Sequence, residues 1–104
     1  MITERRTSPG RLWEWLQRHL PVGLEPMQFV VGYGMFCGIY ARGSAPGFLK
    51  RSFEIMGDPV AVVLVNSVTV YHPQWFSDFK DLLLRYEAEE KPPHETKIVY
   101  WEGD

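Results

Sequence analysis

The residues best suited to chemistry in this chain are His19, His72, His94 and Cys37, with the glycine-rich run Gly32-Tyr33-Gly34-Met35-Phe36-Cys37-Gly38. The glycines invite a nucleotide reading, which fails on spacing. A dinucleotide fingerprint needs its third glycine where Cys37 stands and a helix directly after it, whereas the residues that follow favour strands. Gly38 and Gly43 have the spacing of a phosphate loop, but Ser44-Ala45 replaces the Lys and Ser/Thr that would reach the phosphates and magnesium. Turns or bulges are the expectation here, with no cofactor.

The histidines do not assemble a metal site by spacing. None has a second ligand at i+3 or i+4 on one helix face, and with one cysteine in the chain no zinc site can use more than one thiolate. Cys37 therefore reads as a small buried apolar residue, His19 as a favourable charge near a helix C-terminus, and His94, between Pro93 and Glu95, as a solvated loop residue. His72 is the weak catalytic candidate. It stands at the cap position before a helix, where N–H groups and the helix dipole favour anions, and its imidazole can move protons near neutral pH. No serine–histidine–acid set and no carboxylate pair is forced together by spacing.

Two further arrangements bear on partners. Arg5, Arg6, Arg11 and Arg18 surround Trp13 and Trp15, a mixture that can track single-stranded nucleic acid. The net charge of -2 opposes that use. Charge is also unevenly spread: residues 1–52 hold seven Lys or Arg against three acids, and residues 53–104 hold four against ten. Opposite faces of that kind would suit an acidic partner or head-to-tail contact.

The elements that must position these residues follow from pattern. Ser8-Pro9 opens a helix that stops before Pro21, with Leu12, Trp13, Leu16 and Leu20 on one face and Trp15 at its margin. Residues 21–27 read as a connection. Gln28 to Ala41 reads as a hairpin turning at Gly32-Tyr33-Gly34, and residues 42–47 as a loop. Residues 50–56 alternate weakly. Val60 to Val65 is apolar at every position, which places it centrally in a sheet covered on both faces. Asn66-Ser67 is then either a tight turn into Val68 to Tyr71 or part of one long strand.

Pro73 opens the second helix, whose Trp75, Phe76, Phe79, Leu82, Leu83 and Tyr86 share about a third of the helical circle. Leu84 points the other way. Pro92-Pro93 ends the helix, and Glu87, Glu89 and Glu90 oppose its dipole, so its last turn is expected to fray. Thr96 to Trp101 forms the final strand.

These elements predict one α+β domain over residues 1–104, with flexible ends at 1–7 and 102–104. Its mostly antiparallel sheet has five or six strands, and two helices pack on one face. The expected shared core is Trp75, Phe79, Leu83, Val62 and Leu64. The cysteine count and the absence of a signal-peptide pattern point to the cytoplasm, and no run reaches the about 18 apolar residues of a membrane span. Since two short helices cover one sheet face, a homodimer is expected, with Trp15 and Leu84 as interface residues. The function expected is a non-enzymatic binding or protein-interaction domain that self-associates. The alternative is a small enzyme or ligand-binding protein with a pocket between helix and sheet.

Overall fold

The computed structural model describes residues 10–31, 34–44 and 57–100. The first helix, α1, spans Arg11–His19. Gly10 precedes it at φ 82°, and the Gly10 carbonyl accepts the first helical bond from the Glu14 N–H. Ser8 and Pro9 lie outside the described residues. Five strands follow around a second helix: β1 Leu24–Val31, β2 Gly34–Ala41, β3 Ala61–Leu64, β4 Ser67–Val70 and β5 Lys97–Tyr100. Between β4 and β5, a single 3-10 turn over Pro73–Trp75 leads into α2, Phe76–Glu90.

The sheet order is β1-β2-β3-β4-β5. The first three pairings are antiparallel, and β5 lies parallel to β4 because α2 carries the chain back across the sheet. The architecture is the α+β arrangement with a mostly antiparallel sheet. The β1–β2 pairing runs to Val31 opposite Gly34, so the hairpin turns where the glycines predict, although residues 32 and 33 themselves lie outside the description. This hairpin lies in the sheet, with β2 paired to β3.

Three boundaries differ from the expectations above. β1 begins at Leu24, inside the stretch read as a connection, and contains Pro26. A proline is tolerated there because β1 is an edge strand whose outer N–H positions need no partner. The turn between β3 and β4 is Val65-Asn66, one residue earlier than Asn66-Ser67, with Leu64 paired to Ser67. The last turn of α2 is held by its glutamates. The Thr96 N–H donates to Glu87 Oε2 at 2.7 Å, the Trp15 indole N–H to Glu89 Oε1 at 3.2 Å, and Arg11 pairs with Glu90 at 3.2 Å. Each carboxylate that opposes the helix dipole thus gains an N–H donor from another segment. The strand expected over residues 50–56 lies outside the described residues.

One core joins both helices to one face of the sheet. Leu12, Trp13, Trp15 and Leu16 of α1 and Phe79, Leu82, Leu83 and Tyr86 of α2 are buried against Cys37, Ile39, Ala61, Val63, Val68 and Val70. The register explains the choice: Ile39 lies opposite Ala61, Ala61 opposite Val70, and Val63 opposite Val68, so these side chains share a face. Phe79 and Leu83 are in this core and Trp75 packs against it, but two predicted members are not. Val62 is half-buried on the other face, and Leu64 is 56% exposed. β3 is central in strand order, yet the helices cover only the face to which Ala61 and Val63 point. An all-apolar run carries no signal of which parity that is.

Candidate functional site

The second face of the sheet is built from the alternate residues. Met27, Gly38, Val62, Thr69 and Val99 form one row across all five strands, each paired with the next. On β2 this face is closed. A Cβ added to Gly38 would lie 2.8 Å from Phe36 Cε2 and 2.9 Å from Tyr40 Cε1, so both rings lie over the glycine. Tyr40 is fully buried. Burial, with the negative charge of Asp58 adding to it, pushes its hydroxyl up to about 12. Toward β5 the face opens. Leu64, Val99 and Tyr71 are exposed, as is Val65 at the adjoining turn. Lys97, in register with Ser67, is the only charged residue that β3, β4 and β5 place on this face.

His72 does not cap α2. It precedes the 3-10 turn without a side-chain cap bond, and its Nε2 stands 3.2 Å from Asp58 Oδ1. Asp58 is largely solvated, so water screens the contact and leaves it weak. The contact orients the imidazole. His19 closes the C-terminal end of α1: its Nδ1 is 2.7 Å from the Trp15 carbonyl oxygen, and its ring stacks on Trp15 with centroids 3.9 Å apart. His94 is exposed on the loop after α2. Cys37 is buried on the core face, and burial pushes its thiol up to about 11, away from the reactive thiolate. The structure does not bring these residues together, and no group of three His, Cys, Asp or Glu gathers among the described residues.

Trp13 is buried on the apolar face of α1, as its position predicts, and Trp15 is a core residue too. Trp15 is 2% exposed and seals the contact between the helices. Tyr86 meets its ring edge-on at 5.5 Å, and the Arg85 guanidinium lies over it at 5.4 Å. The ring at the margin of the apolar face of α1 is consumed inside the chain, so it offers nothing to a second subunit. Trp13 is buried as well, so neither indole is exposed for stacking on a nucleic-acid base; Arg5 and Arg6 lie outside the described residues. Leu84 does project outward, at 59% exposure. The charge asymmetry between the halves is partly met within the chain, through Arg11 and Glu90.

Sequence reasoning missed one surface feature. A cleft of about 190 Å³ lies between the start of α1 and the β3–β4 turn, walled by Arg11, Val65, Asn66, Tyr86, Pro92 and Pro93. It is smaller than the roughly 300–1,000 Å³ of most ligand sites. Three separate segments form it, and no spacing along the chain brings them together. His72 is not among its lining residues. Among the described residues no helix is long and apolar enough to cross a membrane. No protein-family profile, curated protein or solved structure matches the chain.

Proposed function

We propose that this protein is a non-enzymatic interaction domain that binds a second copy of itself through the open part of its sheet. The observation that carries this reading is the second face of β3–β5. There Leu64 and Val99 stand exposed beside half-buried Val62 and Thr69, with Val65 and Tyr71 at the border. An exposed apolar patch on a sheet marks a contact surface, and pairing about a two-fold axis lets one patch serve both partners. Trp15 has no part in it, and Leu84, on the outer side of α2, belongs to a different surface.

Sedimentation velocity between about 1 and 100 µM tests the proposal. A concentration-dependent dimer that Leu64→Lys abolishes, with the far-ultraviolet circular dichroism of the folded chain kept, supports it. A monomer at every concentration overturns it. The cleft beside Pro92 and Pro93 favours the second reading, a site for a small ligand. A monomer whose Val65 and Tyr86 resonances respond to small aromatic fragments would move the function there.

A further inference from the structure

We infer that β5 is an exchangeable strand, which can leave its own sheet and take the same place in a second copy of the chain. The inference rests on the self-association proposed above and assigns it a mechanism. Its origin is the joint between α2 and β5. Lys91 closes α2 at φ 46° and ψ 58°, the one non-glycine residue with positive φ among those described. A side chain in this left-handed region is strained. Lys91 also precedes Pro92, and a residue before proline is driven toward extended backbone. Both preferences are violated at one position, and both are satisfied if the chain straightens there.

Straightening has a directional consequence. Pro92-Pro93 favours an extended, stiff conformation, so relaxing Lys91 carries residues 92–100 away from their own subunit. Little opposes departure. β5 is four residues long, and of its side chains only Ile98 packs on the core. Its other ties are the short parallel pairing with β4 from Ser67–Lys97 to Val70–Tyr100, the Lys97 N–H to the Asn66 carbonyl at 2.9 Å, the Thr96–Glu87 bond, and the edge contact of Tyr100 with Phe76. The cleft of about 190 Å³ beside the start of α1 and the β3–β4 turn is also lined by Pro92, Pro93 and Thr96, so the linker borders open space on that side.

A second copy presents the same β4 edge, the same Glu87 and the same Phe76, so each of these ties re-forms across the dimer. The balance between closed and exchanged forms then rests on hinge strain and protein concentration. Strain at Lys91 favours exchange.

A disulfide trap reads this directly. Val68 and Ile98 are partners in the β4–β5 register on the core face, and Val68→Cys with Ile98→Cys places two thiols across that pairing and away from the open face. The dimer fraction of this variant is oxidised and run on a denaturing gel without reductant. Exchange predicts a covalent dimer. It also predicts that Lys91→Gly, which removes the left-handed strain, lowers the dimer association constant by roughly five-fold per hinge. A dimer that yields only internally bridged monomers overturns exchange and leaves face-to-face association standing. If the pair does not oxidise, Lys91→Gly decides alone: an unchanged dimer constant overturns exchange. A monomer at all concentrations overturns both this inference and the proposed function.

Discussion

Val63→Ala and Leu64→Ala ask which face of β3 is inside. Val63 is 2% exposed and lies in the core opposite Val68, whereas Leu64 is 56% exposed. Removing two buried methyl groups at Val63 costs about 1.6 kcal/mol in transfer free energy, and the cavity left behind brings the total to about 2–3 kcal/mol. The larger truncation, at Leu64, is expected to cost under about 0.5 kcal/mol, because the side chain already meets water. Equilibrium urea unfolding followed by tryptophan fluorescence measures both. At a slope of about 2 kcal/mol per M, Val63→Ala lowers the midpoint by about 1 M with the slope unchanged, and Leu64→Ala leaves it in place. The series is repeated over a tenfold range of protein concentration. A Leu64 effect that grows with concentration reports self-association. A concentration-independent Leu64 loss equal to or above that of Val63 refutes the assignment of the two faces.

Phe79 is fully buried in the core, so Phe79→Ala should cost about 3–5 kcal/mol; a chemical-denaturation loss below about 1 kcal/mol would exclude α2 from the core. Gly38→Ala is expected to destabilise by about 1–3 kcal/mol, since Tyr40 has no room to retreat from the added methyl, and an unchanged melting temperature contradicts the ring-over-glycine packing. Cys37 should label with a thiol reagent far more slowly in folded than in urea-unfolded protein at pH 8, and equal rates would show that the thiol is accessible. Alkaline pH should lower stability. The folded Cys37 and Tyr40 values are raised from 9.0 and 10.0 to about 11 and about 12, so the unfolded chain loses these protons first. The loss begins near pH 9 and is complete above about 12. Replacing Cys37 with Ala and Tyr40 with Phe should flatten that slope in a melting-temperature profile.

Local physics made much of the architecture legible. The glycines at 32 and 34 located the first hairpin, whose pairing runs to Val31 opposite Gly34. Pro73 marked the approach to the second helix, although it opens a 3-10 turn and the helix itself starts at Phe76, and Pro92 set its end. The buried stripe of Phe79, Leu82, Leu83 and Tyr86 has helical periodicity, so its inner face was determined before any packing. Where the periodic signal was absent, the reading failed. Val60 to Val65 is apolar at every position, and its parity is decided by which neighbours reach it: the register with Ile39 and Val68 sets Ala61 and Val63 inside. Pro26 lies within a strand because β1 has no outer neighbour, a fact of strand order and not of composition.

The candidate surfaces divide in the same way. A buried, unreactive role for Cys37 follows from its apolar surroundings in sequence, and the exposure of Leu84 from its helical angle. The fate of Trp15 does not, because its angle places it at a margin and only the approach of α2 brings Tyr86, Arg85 and Glu89 around it. The glutamates at the end of α2 look unfavourable along the chain and become favourable through partners 9, 74 and 79 residues away. The strained Lys91 was equally hidden: its type permits many conformations, and only the return of the chain into β5 holds it at positive φ. Sequence by itself determined the elements, since helix and strand periods act over a few residues. Tertiary structure decided which faces are inside and which charges are paired, since those depend on contacts between segments far apart in the chain.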